Sequence, residues 1–106
     1  MNLPSIRFFR PRFLPGRISV TQAALQVLRA ANVSPVELML RHVSGDWGDL
    51  SDSDRRQNDL SVEAGLRLLS SYALPTGQNV CIITEWDRSS TSILMPDDAS
   101  CWWDVT

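Results

Sequence analysis

Residues 81–96, CIITEWDRSSTSILMP, hold Glu85, Asp87, Arg88, Ser89, Ser90 and Thr91 between two apolar, strand-like runs. Together with His42, the chain's one histidine, this tip has the parts needed to cleave a phosphodiester without a metal. Those parts are a base, an acid, and a cation to face the charge of the phosphorane. The candidate catalytic set is therefore His42, Glu85, Arg88, Ser89 and Thr91, brought to one shared depression if the hairpin bends over the residues that carry His42. A simpler reading is ordinary turn chemistry, in which Glu85, Asp87 and Arg88 form ion pairs while the hydroxyls satisfy backbone groups. His42 would then only cap the end of a helix, where the dipole favours a cation.

Two further groups point to binding. Arg7, Arg10, Arg12 and Arg17 lie among Phe8, Phe9 and Phe13, a mixture that suits either phosphate or a protein interface, where aromatics and arginine concentrate the binding energy. Asp46, Asp49, Arg55 and Asn58 form a polar set around the glycine-rich stretch GDWGD. Two loop carboxylates without a third ligand favour bracing over a metal site, so neither a metal nor a cofactor is expected. Trp47, flanked by turn glycines, is a core anchor rather than a base-stacking platform. Tyr72 is likewise a strand residue rather than a general acid. A helix-turn-helix around Asn32-Val33-Ser34 fits poorly, because Pro35 heads the would-be recognition helix and few basic or amide residues follow.

Composition limits the alternatives. The chain has 106 residues, 43% of them apolar, enough for one modest core and hence one domain. All ten basic residues are arginine. Residues 1–44 carry six arginines against Glu37 alone, while residues 45–106 carry four against eleven acids, a balance of +5 against −7. That polarity suits a face for phosphate or an acidic partner, or internal pairing of the two halves. The near-neutral total disfavours strong nonspecific nucleic-acid binding. No apolar run approaches the roughly 20 residues of a membrane helix, and no signal-peptide core is visible, so a soluble intracellular protein is expected. Cys81 and Cys101 then read as thiols rather than a bridge.

Elements that would position these residues follow from capping and periodicity. Prolines at 4, 11 and 15 restrict residues 1–18 to a basic aromatic arm, with at most a short strand over Ser5 to Phe9. Ser19-Val20-Thr21-Gln22 matches a capping box for a helix from Val20 to Ala31, with Ala24, Val27, Leu28 and Ala31 inward. Ser34-Pro35-Val36-Glu37 starts a second helix, running to Val43 with Val36, Met39, Leu40 and Val43 as its buried stripe. Ser51 and Asp54 cap a third, more polar helix from Asp52 to Ala64 that stops at Gly65. Beyond Gly65 the apolar period becomes two. Leu66, Leu68, Ser70, Tyr72 and Leu74 share one strand face, PTGQ at 75–78 is a turn, and Val80, Ile82, Thr84 and Trp86 share a face opposite Cys81, Ile83 and Glu85. The expected fold class is α+β, two or three helices packed on a three-stranded antiparallel meander. The expected organisation is a folded core over 19–98 and a tail over 99–106.

The segments HVSGDWGDL, DRRQND, SSY and IITEWDRSSTSILMP together resemble a family of small bacterial proteins carried on plasmids and integrative elements, over about residues 17–98. The pattern runs through His42, Gly45, Asp46, Trp47, Gly48, Asp49, Asp54, Arg55, Asn58, Ser70, Tyr72, Thr84, Glu85, Asp87, Arg88, Ser89 and Thr91. The resemblance implies a mobile-element setting, with no activity attached. The order of elements also resembles the ribonuclease fold of barnase and RelE-type toxins, an analogy of architecture. The function expected first is an intracellular binding or regulatory protein, acting on a protein partner or a nucleic-acid-processing or defence complex. The alternative is a metal-independent ribonuclease using the His42, Glu85 and Arg88 cluster.

Overall fold

The change of apolar period at Gly65 marks the boundary between the helical and strand-rich parts of the chain. The structure, a computed structural model, describes residues 10–98. Strand β1 (Arg17–Val20) precedes three helices, α1 (Gln22–Ala31), α2 (Pro35–Val43) and α3 (Asp52–Ala64). Strands β2 (Leu68–Ala73), β3 (Asn79–Thr84) and β4 (Ser90–Leu94) follow. They form one four-stranded sheet in the order β1-β4-β3-β2. β2, β3 and β4 pair antiparallel, as expected, and the 75–78 turn closes through Gln78 and Leu74. The expected meander of three strands is nevertheless incomplete. β1 pairs parallel with β4, matching Ile18 to Thr91 and Val20 to Ile93. Nothing local signals a pairing made across more than seventy residues.

β1 also displaces the first helix cap. Ser19 lies in the strand, so Thr21 is the N-cap of α1 and its hydroxyl accepts from the Ala24 amide at 3.1 Å. Ser34 and Ser51 cap α2 and α3 as expected, each accepting a backbone N–H and so satisfying a donor that the helix leaves open. The buried face of α2 is a second correction. Leu38, Met39, His42 and Val43 point inward, whereas Val36 and Leu40 are 65% and 48% exposed. The helix is rotated by most of one residue's ~100° turn from the stripe read in the sequence. That rotation takes His42 from a surface edge into the core.

The face of the sheet bearing Leu68, Tyr72, Val80, Ile82 and Ile93 packs with Ala24 and Leu28 of α1 and with Leu38, Met39 and Val43 of α2. Phe13 and Trp47 complete this cluster. Leu69, Ile83 and Leu94 make a smaller one, joined by Leu50, on the opposite face. The strand alternation read from the sequence holds within β2 and β3 but not at its ends, because Leu66 precedes β2, Trp86 follows β3 in the turn, and both are exposed rather than on the packed face. The arm is not a separate appendage over its described part, because Phe13 is buried and Arg12 N–H bonds the Val43 carbonyl at 2.7 Å. Gly16 turns the arm into β1 at φ +68°, where a Cβ would run into the Arg88 and Ser89 carbonyls. Only glycine fits so close to that backbone. Cys81 is buried in β3, and Cys101 lies outside the described residues.

The outer edge of β2 is covered. Asn58 of α3 donates to the Leu69 carbonyl at 2.6 Å and accepts from the Leu69 amide at 3.2 Å. The GDWGD loop continues this false strand, with Trp47 C=O accepting from Ser71 N–H and Asp49 N–H donating to Ser71 C=O. Asp49 Oδ2 then accepts from Ala73 N–H at 2.9 Å. Gly48, at φ +78°, allows the approach, since a Cβ there would overlap the Ser71 carbonyl. An edge that would otherwise recruit another chain is in this way closed from within. Asn58→Asp is expected to be worse than an ordinary surface change. A carboxylate still accepts from Leu69 N–H but faces its carbonyl, so a loss of roughly 2–4 kcal/mol is expected. Chemical denaturation checks this, and an unchanged midpoint would show that the amide pair is not closing the edge.

Candidate functional site

A chain of polar groups runs through the core between α2 and the sheet. Because α2 is rotated inward, His42 meets β2 through Ser70, with Nδ1 2.6 Å from the hydroxyl, and β3 through Thr84, with Nε2 2.8 Å from the hydroxyl. Thr84 Oγ1 lies 2.7 Å from Thr91 Oγ1 of β4, and the Thr91 hydroxyl donates to the Pro15 carbonyl at 2.7 Å. His42, Ser70, Thr84 and Thr91 are all fully buried. Directions follow from the last link, since a carbonyl only accepts. Thr91 spends its proton on Pro15, so Thr84 donates to Thr91 and must itself accept from His42. His42 is therefore the neutral Nε2–H tautomer, with Nδ1 accepting from Ser70.

Aromatic rings enclose the imidazole. Phe13 meets it edge-on at 5.2 Å between centroids and Trp47 at 5.7 Å, while Phe13 and Trp47 stack at 6.2 Å. The indole N–H donates to Asp59 at 3.0 Å, and Arg12 both bonds the same carboxylate oxygen at 2.8 Å and lies over the indole. Hydrogen bonds from Arg12 first and then Trp47 hold the Asp59 carboxyl below its usual pKa. Tyr72 closes the β2 side, its hydroxyl donating to the Asp46 carbonyl at 2.6 Å. Burial pushes the phenol well above its ordinary pKa.

Burial, with the Arg88 charge as a lesser cause, lowers the His42 pKa from 6.5 to about 3. The consequence for stability has a definite sign. The unfolded chain takes up a proton as pH falls through 6.5, and the native state refuses it until about 3. Stability is therefore full above 6.5 and lost progressively below it. No other histidine titrates in that range. Lowering pH from 7 to 5 is expected to cost roughly 2 kcal/mol, at about 1.4 kcal/mol per unit below 6.5. Denaturant melts at the two pH values check this, and a flat profile would mean that the imidazole is accessible in the native state.

Of the five residues offered as catalytic, the fold gathers three. Thr91 belongs to the buried chain, and Arg88 shares the Phe13 ring with His42, its guanidinium 5.6 Å from the ring centre. Glu85 and Ser89 lie elsewhere. Glu85 follows Thr84 on the strand path, whose alternation directs it away from the helix side, and it receives both contacts of Arg67, at 3.3 and 3.4 Å. Ser89 is exposed, and its amide donates to Asp87. The shared surface depression with Glu85 and Ser89 beside His42 does not form. The α2 rotation places the imidazole inside, while the hairpin tip stays outside.

Arg88 has a different task from facing a phosphate. Held in a left-handed backbone conformation at φ 61°, it sends its guanidinium to the carbonyls of Leu66, Trp86, Glu85 and Ser61. Ser61 and Leu66 lie at the C-terminal end of α3, whose last turn has no basic residue of its own. The hairpin supplies a cation at the negative end of the helix dipole, and it adds a bond to a Ser61 carbonyl that already accepts from the Gly65 and Leu66 amides.

Most of the residues considered for binding are structural here. Asn58 and Asp49 close the β2 edge, and Asp46 holds Arg41 at 2.7 Å and caps the Gly48 amide. Arg55 bonds the Gly48 carbonyl. Arg12 is paired with Asp59, so part of the basic N-terminal half is neutralised internally. Arg10 and Arg17 are exposed, and Arg7 with Phe8 and Phe9 lies outside the described residues. Among the described residues no three of His, Cys, Asp and Glu gather where they could hold a metal ion. None of the described helices is long and apolar enough to cross a membrane.

Ser70 and Thr84 as partners of His42, and the Pro15 carbonyl as the acceptor for Thr91, have no place in the sequence-based expectation. Their signal was present: Ser70 and Thr84 interrupt strand faces otherwise made of Leu68, Tyr72, Val80 and Ile82, and a buried hydroxyl requires a partner. Comparison of the chain with protein-family models, with curated proteins and with solved structures finds no match to any of them.

Proposed function

We propose that this protein acts by binding another protein through its surface, in a regulatory role, rather than by catalysis. The observation that carries this reading is the commitment of the His42 chain. Both ring nitrogens and the Thr84 and Thr91 hydroxyls are used within the fold, and the imidazole is neutral and enclosed by Phe13 and Trp47. A general base must come within hydrogen-bond reach of a substrate proton. His42 already spends that reach on Ser70 and Thr84. Arg88, the cation that a ribonuclease mechanism would turn to the phosphorane, is engaged by four carbonyls.

Incubation with single-stranded RNA separates this reading from the ribonuclease alternative. The expected result is no cleavage by the wild-type chain above that of an Arg88→Ala control. Cleavage by wild type that is lost in both Arg88→Ala and His42→Gln, with both variants folded, would overturn the binding reading.

A further inference from the structure

The two edges of the sheet are treated differently. β2 is closed by Asn58 and the GDWGD loop, whereas among the described residues no strand or loop pairs with the outer side of β1. Arg17 N–H bonds Ser89 and Thr21 N–H bonds Ile93, so alternation turns the backbone groups of Ile18 and Val20 outward. Beside this edge α2 carries a second apolar face that the core does not use. Val36 and Leu40, together with Pro35, Met39, Ile18 and Ile93, line a groove of roughly 170 Å³ with almost no polar wall. Ile18 is 49% exposed. An unpaired strand edge beside exposed apolar side chains is a template for another strand.

We infer that the occupant of this flank is a second copy of the chain, joined by antiparallel pairing of β1 with its own symmetry mate. The inference extends the binding reading by giving it a surface and a first partner. A two-fold axis through Ser19 sets Ile18 opposite Val20 of the partner copy, and the two outward N–H and C=O pairs on each strand meet their counterparts. Arg17 then lies opposite Thr21 of the other copy, so no like charges face each other across the ladder, an arrangement that would be unfavourable. The same patch serves on both subunits, as an isologous interface requires. With the axis perpendicular to the sheet, both helix layers fall on one side. Three strand spacings separate β4 from its symmetry mate, about 14 Å. The two α2 helices, whose Val36 and Leu40 line the groove with Ile18 and Ile93, then flank the seam on the same side of the joined sheet. An acidic or basic partner has no counterpart in this groove, because its wall is apolar.

Sedimentation equilibrium of the full chain over a concentration series tests the inference. Wild type is expected to sediment as a concentration-dependent dimer of the 11.9 kDa chain. Leu40→Glu and Ile18→Lys alter exposed positions and are expected to weaken dimerisation by roughly tenfold or more each, through a charge placed in an apolar seam, with the thermal melt of the monomer retained. In a Cys101→Ser background, Ser19→Cys is expected to give a covalent dimer on mild oxidation, while Thr21→Cys is not. A monomer at every concentration would overturn the inference and leave the flank to a different protein, as would a dimer insensitive to both charge variants. Neither result depends on RNA cleavage, so failure here is distinguishable from failure of the noncatalytic reading.

Discussion

Trp47→Ala is expected to lower stability by roughly 3–5 kcal/mol, the cost of emptying a large buried aromatic site. Trp47 is only 3% exposed. Its ring also joins three parts of the fold that share no strand pairing. It stacks on Phe13 of the arm, meets His42 of α2 and donates to Asp59 of α3. Removal therefore unpins the arm as well as leaving a cavity, and places a domain of this size near the limit of folding. Trp47→Phe keeps much of the volume and loses the Asp59 bond, so a smaller cost of about 1–2 kcal/mol is expected. Equal losses for the two variants, or none, would show that the ring is not the anchor.

The second large effect concerns the buried chain itself. His42→Leu is close in volume, yet it strands the Ser70 hydroxyl without an acceptor and deprives Thr84 of its donor. A loss of roughly 2–5 kcal/mol is expected from the two orphaned groups. Adding Ser70→Ala and Thr84→Val removes the orphans, and Thr91 retains the Pro15 carbonyl. The triple variant is therefore expected to recover about half or more of the loss, because replacing all members of a polar network by apolar groups can be nearly neutral. Denaturation midpoints of the single, double and triple variants measure this non-additivity. Strict additivity would contradict a connected chain.

How much of this was legible in the sequence depended on the range of the interaction. The caps at Ser34 and Ser51, the stop at Gly65 and the strand faces from Leu68 to Thr84 are local patterns, and they correspond to what the structure shows. β1 was obscured because Ser19 and Thr21 both suit an N-cap, and the choice between them is made by pairing with β4. The register of α2 was misread because the helix carries more apolar residues than the core accepts. Two stripes were available, and the one with Val36 and Leu40 gave the more regular spacing. The winning stripe includes His42, which becomes acceptable inside only because Ser70 and Thr84 are waiting on the sheet. The alternation that set Thr84 on the helix side already set Glu85 on the other, which separated the two halves of the expected cluster. Arg88 could be singled out from the sequence as important, but its four carbonyl acceptors come from separate places in the chain.

The central claim is that His42 is an enclosed, neutral strut, and nitrogen-15 NMR of its imidazole tests it most directly, since the chain has a single histidine. Both ring nitrogens are expected to report the Nε2–H tautomer, unchanged between pH 8 and pH 5, with the Nε2 proton protected from exchange. A ring that titrates with a midpoint near the ordinary 6.5, with both nitrogens converging on the protonated values, would contradict the account and return His42 to the solvent-facing role of a general base.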